Sequence, residues 1–136
     1  MRRCLPILLS AAVLAAPAAA HSHKKNGLEI VHPWTQASAK DATSARVFMT
    51  VRDAGGGSDR LVSASTPSAE KVELNEAGRG RAAFVVRTGE ELSLHGDGPC
   101  LVLVGLKRQL AAYDDFKMTL VFEKAGRIAI DVMVEE

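Results

Sequence analysis

The chain has 136 residues, and its 17 basic and 16 acidic side chains leave a formal net charge of +1 with histidine neutral. That balance excludes a basic footprint for nucleic acid and a charged patch for a membrane surface. Two cysteines, at positions 4 and 100, are too few for a disulfide-stapled scaffold.

Taken in chain order, Arg2 and Arg3 form a basic start and Leu5 to Ala16 a short apolar run. The run is too short to span a membrane, and small residues follow it, so residues 1–20 are predicted to be a secretory signal peptide. Ala18 and Ala20 suit a cut before His21, and Ala16 and Ala18 a cut before Ala19. No later stretch of about 18 apolar residues follows, so the processed protein is expected to be soluble outside the cytoplasm, in a periplasm. The 116 residues after position 20, with 15 basic side chains against 16 acidic, suffice for one domain and not two. Cys4 precedes the apolar run instead of following it, where a lipoprotein cysteine would sit, so processing leaves Cys100 as the one thiol. A lone thiol in an oxidising compartment is buried, metal-bound, reactive or paired with another chain. The expected layout is a signal peptide over 1–20, a flexible histidine-containing leader over 21–26, and a β-domain over 27–136.

After residue 26 almost every segment alternates apolar and polar residues with a period of two, which predicts an all-β sandwich or barrel. The expected strands are Leu28–His32, Arg46–Asp53, Arg60–Ser65, Lys71–Asn75, Ala82–Arg87, Glu91–Leu94, Cys100–Leu106, Lys117–Glu123 and Arg127–Val134. Between them lie glycine-bearing turns, among them Ala54-Gly55-Gly56-Gly57-Ser58, Gly78-Arg79-Gly80 and Gly96-Asp97-Gly98-Pro99. Positions 116, 118, 120 and 122 form a wholly apolar face, and Met49 shares a face with Val47 and Val51, so Met118 and Met49 are expected in the core. There is no phosphate loop, nucleophile elbow, Ser-His-Asp order or CxxC. The acidic pairs Asp114-Asp115 and Glu135-Glu136 read as solvated charges. No enzymatic activity is expected.

Four stretches resemble the periplasmic copper chaperone PCu(A)C family. They are His32-Pro33-Trp34, Asp59-Arg60-Leu61-Val62-Ser63-Ala64-Ser65 with Val72-Glu73-Leu74, then Gly105-Leu106-Lys107-Arg108, and finally Thr119 to Gly126. The resemblance runs in order from about Gly27 to Val134. It implies a cupredoxin-like Greek-key β-sandwich, copper as the bound ion, and delivery to copper-receiving proteins such as cytochrome oxidase assembly factors. A monomer is expected, and the charge balance and the lack of a further long apolar run predict no nucleic-acid partner and no membrane span.

The ligand positions that the family implies carry different residues here. After Val72-Glu73-Leu74 the family places a histidine and, two residues on, a methionine; this chain has Asn75 and Ala77. Before Gly105-Leu106-Lys107 it places another histidine and methionine; this chain has Cys100 and Val102. The intervening methionine has no counterpart between Gly78 and Leu94, where the spacing is also shorter, as a trimmed hairpin would make it. Only Cys100 keeps a donor, a strong one as a thiolate; its other reading is a small hydrophobe that starts a strand.

Four histidines remain. His32 reads as a hydrogen-bonded imidazole near Trp34, and His95 as a turn residue in water that would pair with Cys100 only across the turn. His21 and His23 offer a separate chemistry. A cut before His21 puts His23 third, and a cut before Ala19 puts His21 third. Either product has an amine, two deprotonable amides and an imidazole able to surround Cu(II) in a square plane. Lys24 and Lys25 add opposing positive charge, and the same residues also fit a polar leader with no bound ion. The candidate metal ligands are therefore His21, His23 and Cys100.

Overall fold

The computed structural model describes residues 22–136. The expected signal peptide with Cys4, and His21, lie outside the described residues. Eleven strands follow one another: β1 Ser22–Lys25, β2 Leu28–Gln36, β3 Ser44–Asp53, β4 Asp59–Ser65, β5 Ala69–Glu76, β6 Arg79–Gly80, β7 Phe84–Val86, β8 Glu91–Leu94, β9 Pro99–Leu106, β10 Asp115–Phe122 and β11 Gly126–Glu135. Among the described residues no helix is long and apolar enough to cross a membrane.

The strands form one hydrogen-bonded sheet in the order β6-β5-β9-β3-β2-β11-β10-β4-β7, with β1 added to β2 and β8 to β3. The pairings of β5 with β9, β9 with β3 and β10 with β4 join strands distant in sequence, the crossovers of a Greek key. The sheet curls so that its two halves become the layers of a sandwich, one of the two all-β forms that the alternation predicts and the cupredoxin-like one that the resemblance implies. Leu28, Ile30, Val47, Met49, Val51, Leu101 and Leu103 face Leu61, Phe84, Met118, Leu120, Phe122, Ile128, Ile130 and Val132 across one core. Met49 is 3% and Met118 1% exposed, so both thioethers fill space between layers.

The strand β2 does more than the sequence suggests, because it continues past His32-Pro33. Pro33 has no N–H to give the ladder, and the chain bulges there: His32 adopts φ 49° and the register with β3 shifts between Val31 and Trp34. Beyond the bulge Trp34, Thr35 and Gln36 run parallel to Met133, Val134 and Glu135 of β11, which ties the first long strand to the last.

The leader also differs from expectation. Ser22–Lys25 forms β1, antiparallel to Leu28–Val31, where the sequence offers no strand pattern. The sequence Ser-His-Lys-Lys has no apolar alternation, so periodicity is silent there, and the strand is set instead by the turn. Asn26 and Gly27 have φ 52° and 82°, the pair of positive values that a two-residue hairpin turn requires. Gly27 is further constrained because a Cβ there would come within 2.6 Å of the Gly56 Cα.

Loop Ala54–Ser58 is organised by Asp53, whose carboxylate accepts N–H bonds from Gly55 at 2.9 Å, Gly57 at 3.0 Å and Gly89 at 2.8 Å. These bonds, that from Gly89 foremost, hold its carboxyl below the ordinary 3.8. A depressed folded-state pKa stabilises above the unfolded value, and that stability disappears as pH falls through the folded one. Thermal stability should therefore decline on acidification below about pH 3.8 more steeply in the parent than in Asp53→Asn, as followed by circular dichroism. Parallel curves for the two proteins would refute this role.

Candidate metal centre

The hairpin of β5 and β6 closes on Ala77-Gly78, with φ 52° and 77°, while β5 pairs with β9 on its other side. That register puts Asn75 directly opposite Cys100 and Glu73 opposite Val102. Residues 25 apart in the chain thus become cross-strand neighbours, with side chains about 5 Å apart at Cβ. Leu74, Leu101 and Leu103 project into the core. Alternation therefore turns Asn75, Cys100 and Val102 onto the opposite face of the sheet, and Ala77 sits exposed at the turn tip.

Of the positions that the resemblance implies, Asn75, Ala77 and Val102 carry no good donor for a soft ion, and Cys100 alone carries one. Alanine and valine coordinate nothing, and a neutral amide is a poor partner for a soft ion. Cys100 is 4% exposed and free, yet it lies outside the core cluster. Desolvation pushes its thiol up, and the nearby Arg46 charge opposes that shift less strongly. Burial thus favours the protonated thiol over the thiolate that binds metals.

Arg46 is a residue that sequence reasoning missed. It pairs with Val102 and so shares the face of Cys100. Its guanidinium donates to the Gly96 carbonyl at 3.2 Å and stands 5.8 Å from the Phe48 ring centre, a cation over an aromatic face. Phe48 packs against Trp34 at 5.1 Å between centroids, and Trp34 lies 6.3 Å from His32. The available signal was Arg46 alternating with core Val47.

The histidines are spread apart. His32 Nε2 meets Glu135 Oε1 at 3.0 Å, so the imidazole is polar-bonded near Trp34 as expected, while Glu135 is not the purely solvated charge predicted. His95 is exposed and its ring covers Gly98, where a Cβ would approach Nε2 to 2.6 Å. His23 pairs with Ile30, which is fully buried, so its imidazole leans toward the core side, and its Nε2 is buried without a hydrogen-bond partner. Ile30 aligns with Val51, and Val47 of the same strand face aligns with Leu101. Cys100, adjacent to Leu101, therefore points to the other face from His23. The structure does not bring these two candidates together, and among the described residues no three His, Cys, Asp or Glu side chains converge to hold a metal.

Comparison with known proteins agrees with this fold. Residues 28–134 match the family described as "Putative lipoprotein LpqE-like". A protein of Leifsonia xyli subsp. xyli named "Putative lipoprotein Lxx21020" is 25% identical over 94% of this chain and 82% of its own length. Among solved structures, the copper-bound PCuAC domain from PmoF2 is 28% identical with a TM-score of 0.78, covering 85% of this chain and 97% of that domain. The apo PCuAC domain from PmoF1 is 25% identical with a TM-score of 0.79, over 85% and 98% of the two chains. The chain belongs to the LpqE-like family, and its sandwich is that of the PCuAC domains.

Proposed function

We propose that this chain is an extracytoplasmic, non-enzymatic copper-handling protein whose inherited ligand cluster has been dismantled and whose competent donors lie at the processed N-terminus. The observation that carries the reading is the pairing of Asn75 with Cys100 in a sandwich 28% identical to a copper-bound domain. The position for copper is kept while its ligands are gone. His21 and His23, behind a signal peptide cut in the periplasm, supply the amine-X-X-His pattern suited to Cu(II). Cys100, buried and protonated, contributes little. Copper is the cargo, and a copper-receiving protein the partner.

The test is calorimetric titration of the chain beginning at His21 with Cu(II), and separately with Cu(I) against a competing chelator, beside a chain that begins at Asn26. Tight Cu(II) binding by the longer chain alone supports the reading. Equal binding by both, or none by either, removes it.

The empty donor set also favours a second reading, a metal-free sandwich that binds a protein partner. A ligand that binds only the folded state must raise its melting temperature. Identical melting temperatures with and without excess copper are expected from this second reading alone.

A further inference from the structure

If the processed N-terminus is the copper site, as proposed above, the register of β1 makes signal cleavage decide what copper does to the fold. We propose that in a chain starting at His21, Cu(II) chelation and the β1–β2 pairing exclude one another, whereas in a chain starting at Ala19 both coexist.

The two-residue turn Asn26-Gly27 closes on Lys25 and Leu28. A pair that closes such a hairpin exchanges both backbone hydrogen bonds, and bonded pairs then alternate along the ladder. His23 with Ile30 is the next bonded pair, and Ser22 with Val31 and Lys24 with Glu29 are not. The His23 N–H is thereby committed to the Ile30 carbonyl.

Chelation from His21 uses the α-amine, the amide nitrogens of Ser22 and His23, and the His23 imidazole. Both amides release their protons to solvent, and the His23 nitrogen then binds metal instead of donating to Ile30. The side chain must move as well. In a strand it stands off the sheet plane that holds its own amide, whereas the square-planar complex needs both in one plane. His23 now leans to the core side, its Nε2 buried and unpartnered, a cost that leaving the strand removes. Chelation from Ala19 uses the amides of Ala20 and His21 and the His21 imidazole, and makes no demand on the His23 N–H that bonds to Ile30. That complex leaves the pairing of Ser22–Lys25 with Leu28–Val31 intact.

Both chains, one starting at His21 and one at Ala19, would be titrated with Ni(II), whose square-planar complex has the same nitrogens and is diamagnetic. The visible absorption band reports the chelate, and the cross-strand Hα–Hα Overhauser peak between Lys24 and Glu29 in nuclear magnetic resonance reports the strand. The expected result is a band from both chains, with the Lys24–Glu29 peak vanishing only in the chain starting at His21. In that chain His23→Ala should abolish the band and keep the peak. A band accompanied by an undiminished peak would overturn the exclusion while leaving the N-terminal site standing. No band from either chain would overturn the site and the exclusion together.

Discussion

A thiol reagent added to the folded, reduced chain starting at His21 is expected to label Cys100 roughly 1000-fold or more slowly than it labels the urea-unfolded chain. Cys100 is the one thiol in that chain, so the signal is unambiguous. Two effects act together. The side chain is 4% exposed, and desolvation pushes the thiol up, away from the reactive thiolate. Labelling must then wait for opening of the β5–β9 pair, and an opening that costs about 5 kcal/mol suppresses the rate by more than three powers of ten. The Arg46 charge favours the thiolate but is the smaller influence. Measured rates within tenfold of the unfolded chain would mean the sulfur is reachable, and Cys100 would return as a copper donor. Slow labelling instead removes Cys100 as a candidate copper donor and rules out an intermolecular disulfide through it in the folded protein.

The strands are legible wherever one face meets the core and the other water. Phe116, Met118, Leu120 and Phe122 alternate, and all four are buried in β10. Legibility fails where backbone chemistry decides. β1 has no apolar residue, and its existence follows from the positive φ of Asn26 and Gly27. Pattern alone ends β2 at His32 because Pro33 reads as a strand breaker, whereas a bulge absorbs it and the parallel pairing to β11 follows. Gly78-Arg79-Gly80 reads as a turn, but the turn is Ala77-Gly78 and Arg79 already pairs with Glu76.

The candidate site shows the same division. Resemblance locates Asn75 and Cys100 without indicating that they face each other, which only register supplies. Nor does composition reveal that His23 and Cys100 lie on opposite faces, since a one-residue slip would reverse either. The donors are visible in the sequence; which of them can meet is not.

Replacing Asp59 by alanine is expected to destabilise the fold by about 3–5 kcal/mol, read as a lower midpoint in urea with an unchanged slope. Asp59 opens β4 and is 6% exposed, so its carboxylate has little water to fall back on. Oδ1 accepts the N–H of Arg60 at 2.7 Å and of Lys124 at 2.8 Å, and Oδ2 accepts that of Ala125 at 2.9 Å. Alanine leaves those donors without a partner, each at about 1–3 kcal/mol, part of which entering water recovers. Asparagine keeps the shape and one acceptor oxygen, so Asp59→Asn should lose less. The effect should also reach the leader. Ala125, which Asp59 holds from its N–H side, accepts the Asn26 side chain at 2.9 Å through its carbonyl. Asn26 forms the turn that sets the register of β1. Amide exchange at Lys25 and Leu28, the pair closing that turn, should therefore quicken in Asp59→Ala beyond what the global loss of stability produces. Exchange that tracks global unfolding alone would confine Asp59 to the β4 and β10–β11 end and leave β1 independent of it.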